Sequence, residues 1–193
     1  MAAALLHLVV AGLRDELGEA EREELAALAR ALASAEGVQA TLAACSRREL
    51  ITATWLGSAD DLEAFASSGP HLRFVLEGVA RHSTGMWSAA ASVDTGPPLD
   101  PGDGGALWAF GLPAEPPAFE WQVRDLLAAI NALPGQAAAG PTTEERERFR
   151  AAGVALVRAD QLEPFDQALS EARSSWGELG ESLRDAIAPL LVS

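Results

Sequence analysis

The octet SADDLEAF, residues 58–65, returns as RADQLEPF, residues 158–165, one hundred positions later. Five of its letters are shared: Ala59/Ala159, Asp60/Asp160, Leu62/Leu162, Glu63/Glu163 and Phe65/Phe165. Each copy opens a helix. Acids crowd the first turn, where the positive end of the helix dipole favours them, and Ser58 is a natural N-cap in the first copy.

Working outward, the two copies have the same neighbours. Ahead of the first lie an apolar strand-like run, ALLHLVVAG (4–12), and a helix with Leu25, Leu28 and Leu32 at helical spacing that ends at Gly37. Two short strands follow, VQATLAACS (38–46) and ELITATWLG (49–57). After the octet, Gly69–Pro70 interrupts the helix and restarts it, since proline suits a first helical turn. The helix runs to His82, and GMWSAAASV (85–93) reads as a last strand. In the second half ALWAFGL (106–112), WQVRDLLAAINALPG (121–135), AAGVALVRADQLEPF (151–165) and WGELGESLRDAIAPLLVS (176–193) answer these runs in the same order. Pro189 weakens the final strand. The run EERER (144–148) reads as a solvated face or helix start.

Each half therefore has the order βαββαβ, which is ferredoxin-like, and the chain reads as a tandem repeat. The expected fold class is α+β. A lone module leaves one sheet face bare, and an exposed apolar face of that size is unfavourable. Two modules in one chain cover each other, with a linker holding them at high effective concentration. The expected architecture is an intramolecular pseudo-dimeric α/β barrel, with modules over 1–94 and 105–193. The Gly- and Pro-rich stretch 95–104 reads as the linker.

Composition narrows the function. The net charge is −14 across 193 residues, so the chain will not neutralise nucleic-acid phosphates or seek an anionic membrane. A single cysteine, Cys45, permits no internal disulfide and no cysteine-rich zinc site, and fits a cytoplasmic setting. No metal site is expected. The N-terminal apolar run lacks the preceding basic residues of a secretory signal. There is no lysine and no tyrosine, which removes Schiff-base chemistry and a P-loop. Acid–base work near neutral pH falls to His7, His71, His82 or a carboxylate of raised pKa.

The first half also resembles a known family. His7 within Leu5–Leu6–His7–Leu8–Val9–Val10, followed by Leu62, Phe65, Pro70, His71 and Phe74, is similar to the pattern of the stress-responsive dimeric α/β-barrel proteins. The second half shares it only through the internal repeat. The resemblance implies a barrel-like sheet pair and a cleft between sheet and helices. One plant branch of that family is a polyketide cyclase, whose strand histidine, helix tyrosine and later helix histidine perform an aldol condensation. Carried over, these fall on His7, Phe65 and His71. The phenol is absent here, and the implied pocket is more apolar. Related cofactor-free monooxygenases share the module.

His7 and His71 are thus the candidate catalytic residues. Phe65, Phe74, Trp55 and Trp87 are candidates to line a pocket for a small apolar or aromatic molecule, though aromatic residues at such spacings also build cores. No cofactor is expected. Aligning Ala4 with Ala106 sets Ala109 opposite His7, and a shift of one hundred sets Glu171 opposite His71, so any chemistry belongs to the first half. Three readings stand: a proton-transferring, aldol-type enzyme with His71 as base and His7 orienting the substrate, a non-catalytic binding module, and a cofactor-free monooxygenase. Self-association beyond the chain is not needed for folding.

Overall fold

The computed structural model describes residues 4–94, 96, 105–115, 118–143 and 148–191. The expected linker, apart from Gly96, and residues 144–147 of the EERER run lie outside the described residues.

The first module runs β1 (Ala4–Leu13), α1 (Glu19–Ala31) with a 3-10 turn Leu32–Ser34, β2 (Val38–Cys45), β3 (Glu49–Leu56), α2 (Ala59–Ser67), α3 (Gly69–Arg73), a π-helical stretch Phe74–Val79, α4 (Ala80–His82) and β4 (Ser83–Val93). The second runs β5 (Ala106–Pro113), α5 (Glu120–Asn131), β6 (Gln136–Pro141), β7 (Phe149–Val157), a 3-10 turn Ala159–Gln161, α6 (Leu162–Trp176), α7 (Glu178–Ser182) and β8 (Arg184–Pro189). The sheets have the orders β2-β3-β1-β4 and β6-β7-β5-β8, both antiparallel. The repeat in the sequence is a repeat in topology.

Local chemistry sets the helix that carries the octet. Ser58 Oγ accepts the Asp61 amide at 3.2 Å and donates to the Asp61 carboxylate at 2.9 Å, satisfying an amide that the helix itself cannot. Pro70 sits in the first turn of α3, where Ser68 Oγ accepts the His71 amide at 3.3 Å. Gly37 turns the chain from α1 into β2 with φ of 78°, a left-handed conformation that glycine adopts without steric cost.

Strand alternation builds the layers. Leu6, Leu8, Ile51, Ala53 and Trp55 face the other sheet and meet Leu107, Ala109, Ala152 and Val154 in one shared core. The opposite face of the first sheet packs Leu5, Val9, Leu50 and Leu56 against Leu25, Leu28, Phe65 and Phe74. Its counterpart packs Trp108, Phe110, Leu112 and Val157 against Leu126, Ile130, Phe165 and Leu169. The order is helices, sheet, sheet, helices.

Two seams tie the sheets together. Ala91 on β4 bridges to Thr142 just after β6, and the Thr143 amide donates to the Ala90 carbonyl at 3.0 Å. Ala44 on β2 bridges to Leu190 just after β8, and the Leu191 amide donates to the Ala43 carbonyl at 2.9 Å. Each seam joins the end of one module's second strand to the other module's fourth, as a pseudo-twofold requires. Gly140 is needed at the first seam, because a Cβ there would collide with the Ser92 carbonyl. Among the described residues, no helix is long and apolar enough to cross a membrane.

Candidate functional site

Strand register decides which residues the two modules hold in common. His7 pairs with Thr54 and Ala90, and Leu5 with Leu56. Trp108 pairs with Ala155 and Ile187, and Ala106 with Val157. The equivalent of His7 is therefore Trp108. The expectation from the sequence, Ala109, is corrected by one residue. The cause is the anchor: matching Ala4 with Ala106 sets the strands 102 positions apart, whereas the register matches Leu5 with Ala106, 101 apart. A slip of one turns a side chain to the other face of the sheet: Ala109 points into the shared core between the sheets. Ring geometry agrees with the pairing. His7 meets Phe65 edge-on at 5.7 Å and 65°, and Trp108 meets Phe165 edge-on at 5.5 Å and 65°.

β1 aims His7 toward the helices, onto a face otherwise built from Leu5, Val9 and Ala11. Its Nδ1 is enclosed and has no hydrogen-bond partner. Burial pushes the imidazole pKa down to about 4, and the nearby His71 pushes in the same direction. His7 is neutral at pH 7. An enclosed ring nitrogen without a partner has given up its hydrogen bonds to water, a cost that calls for an explanation.

His71, at the start of α3, lies 6.1 Å from His7 and 4.7 Å from Phe65 between ring centroids. Its Nδ1 is 2.9 Å from the Ala66 carbonyl oxygen. A carbonyl can only accept, so Nδ1 carries the proton and Nε2 presents a lone pair in the neutral ring. His7, Phe65 and His71 form one aromatic cluster, as the sequence reading grouped them.

A cleft of about 580 Å³ opens between α2 and the β1–β4 pair, within the range of small-molecule sites. His7 lines it. The walls are mostly apolar, including Leu5, Leu62, Ala66 and Ala90, with polar groups from Glu63, Ser88 and Thr143. His71 and Phe65 are not part of this lining; they back the imidazole that is. Thr143 belongs to the second module, so the cleft lies at the first seam. Sequence reasoning missed Glu63, Ser88 and Thr143. Thr143 carried no signal, because it reaches Ala90 only through the packing of two modules.

In the second module the equivalent position is closed. The buried Trp108 indole stacks on Phe110 at 5.0 Å and donates to the Asp185 carboxylate at 2.8 Å. Asp185, which the strand register places opposite Ser88, also pairs with Arg173. Glu171 is exposed on α6, where it accepts from Gln167 at 3.0 Å.

The other aromatic candidates are not gathered at the cleft. Trp55 is fully buried between the sheets, on the opposite face of the first sheet from His7. Trp87 packs on Phe149 of the second module at 5.0 Å between centroids. Phe74 is fully buried between α1 and the sheet. His82 ends α4, and its carbonyl accepts the Arg14 amide at 3.0 Å. Among the described residues no group of three or more histidine, cysteine or carboxylate side chains could hold a metal ion.

No protein family pattern and no curated protein sequence matches the chain. Solved structures do share its fold. An anthrone oxidase-like protein superposes with a TM-score of 0.67 at 12% identity, over 98% of this chain and 92% of that one. A protein titled "Putative monooxygenase" from Fusobacterium nucleatum gives 0.62 at 10% identity, over 99% and 93%. One of the same title from Lactobacillus acidophilus gives 0.58 at 10%, over 98% and 93%. The chain thus shares its α+β fold, across both halves, with these three proteins.

Proposed function

We propose that the first module binds a small planar aromatic molecule in the His7 cleft and removes a proton from carbon beside a carbonyl, with dioxygen as co-substrate in a cofactor-free monooxygenation. The observation that carries this reading is the asymmetry between modules. One keeps an open apolar cleft with a neutral imidazole whose Nδ1 lacks a partner, and the other fills the same position with Trp108. The likeness in fold to an anthrone oxidase-like protein and to two proteins titled as monooxygenases supports the choice of chemistry.

The roles follow from the geometry. Neutral His7, the imidazole that lines the cleft, takes the proton, and His71, with its Nδ1 fixed by the Ala66 carbonyl, backs that ring. The resulting carbanion is delocalised over the aromatic system and is oxidised by dioxygen. Overall, a methylene and one dioxygen give a carbonyl and one water, which balances without a further reductant. The low polarity of the cleft walls favours a delocalised anion over a localised one.

Aldol-type cyclisation, implied by the resemblance of residues 1–93 to the stress-responsive barrels, uses the same proton removal without oxygen. Anthrone separates the two readings. Oxygen uptake together with quinone absorbance, falling about 10²-fold or more in His7→Phe, supports the oxygenase. Binding without oxygen uptake moves the reading to the proton-transfer enzyme or the binding module. Absence of binding, or an unchanged rate in His7→Phe, overturns the cleft as the site.

A further inference from the structure

We propose that Thr143, contributed by the second module, is the specificity-determining residue of the first-module cleft, and that it selects ligands carrying a neutral hydroxyl or carbonyl oxygen. The inference rests on the functional reading above and adds to it a substrate class and a second module that does more than brace the first.

Thr143 reaches the cleft from the connection after β6. Its backbone amide donates to the Ala90 carbonyl at 3.0 Å, which fixes the residue in place. Ala90 is the strand partner of His7, so the threonine is anchored on the residue opposite the imidazole. Its hydroxyl lies 3.4 Å from the same carbonyl. That is a long contact for an O–H donor, and a ligand oxygen at ordinary distance can replace it. The amide bond alone keeps the main chain in position. The hydroxyl is therefore free to serve recognition while the backbone serves the seam.

The remaining polar groups define what the hydroxyl can read. Ser88 is exposed at the same cleft and adds a second hydroxyl. Glu63 brings a carboxylate to the lining, and among the described residues no arginine joins it. A carboxylate or sulfonate there would meet like charge without a counter-ion. A neutral phenol, naphthol or aryl ketone would not. The apolar walls take the ring, and Thr143 takes the oxygen.

The test uses the full chain and three probes: 1-naphthol, 1-methoxynaphthalene and 1-naphthoate. Affinities are measured by calorimetry for the wild type, Thr143→Val, Thr143→Ser and His7→Phe. Thr143→Val removes the hydroxyl and keeps both the shape and the amide bond to Ala90. The wild type is expected to prefer 1-naphthol over 1-methoxynaphthalene by about five- to tenfold, one hydrogen bond's worth, and to reject 1-naphthoate. Thr143→Val should bind the methoxy compound as before and lose the preference, while Thr143→Ser should restore it. If Thr143→Val keeps the preference, or weakens all probes equally, the inference is wrong. If in addition His7→Phe still abolishes binding, the cleft reading survives that failure. If the wild type binds none of the neutral probes, both fall together.

Discussion

His7 pays a cost in the folded protein that leucine would not. Its Nδ1 is enclosed without a partner, and its pKa sits at about 4 against 6.5 for a free histidine. Above pH 6.5 the ring is neutral folded and unfolded, and titration contributes nothing. As the pH falls below 6.5 the unfolded chain takes up a proton that the native chain refuses until about pH 4, so stability drops across that window and then levels. The loss attributable to this ring is about 3 kcal/mol at most. Urea denaturation of the wild type and His7→Leu at pH 7 and pH 4.5 isolates it. The wild type should lose more stability than the variant between the two values, and at pH 7 His7→Leu should be as stable as the wild type or more so while losing ligand binding. Parallel losses in both proteins would show that the ring is solvated. A histidine inside an aliphatic run and a proline–histidine helix restart are visible as letters, but it was the resemblance to the stress-responsive barrels that grouped His7 and His71 with Phe65, whose rings meet in one cluster. The letters gave no access to the cleft's outer polar groups, since Ser88 and Thr143 look like any other surface hydroxyl.

At the scale of elements, helices were legible and strand register was not. The octet located α2 and α6 because capping and first-turn acids are local physics. Ser58→Ala should lower thermal stability by about 1 kcal/mol, read as a fall in Tm by circular dichroism, while the same change at Arg158 should do little. The strands follow an offset one residue shorter than the match of Ala4 with Ala106 assumes, and so the counterpart of His7 was misplaced from Trp108 to Ala109. β6, with its Ala- and Gly-rich QAAAGP, has weak strand propensity and owes its pairing to β7 and to the seam. The π-helical stretch Phe74–Val79 had no signature in the letters. Trp108→Ala should cost about 3–5 kcal/mol by emptying a filled position, with the first-module cleft still binding its ligand. A Trp108→Ala variant that remains folded yet loses binding would contradict the independence of the two sites.

For the whole molecule, the sequence foretold the pairing of two sheets from the repeat and from apolar strands that need cover. The seams were beyond its reach, because they join residues from different halves. Gly140→Ala puts a methyl group against the Ser92 carbonyl and should destabilise the chain by about 1–3 kcal/mol, with ligand affinity falling as the Thr143 side of the cleft shifts. Residues 1–94 expressed alone, the proposed first module, should dimerise or precipitate, since Leu6, Leu8, Ile51 and Trp55 lose their cover. A monomeric half with an unchanged far-ultraviolet spectrum and no concentration dependence would contradict the shared core. The central claim is that one neutral, enclosed imidazole defines a single ligand site in this two-module chain. With three histidines in the sequence, ¹⁵N-imidazole NMR across pH reads it directly. The account predicts one histidine, absent from the spectrum of His7→Leu, that stays neutral down to about pH 4 and whose resonances move on adding 1-naphthol. Ordinary titration of that histidine near pH 6.5, or a ligand that leaves it unmoved, would contradict the account.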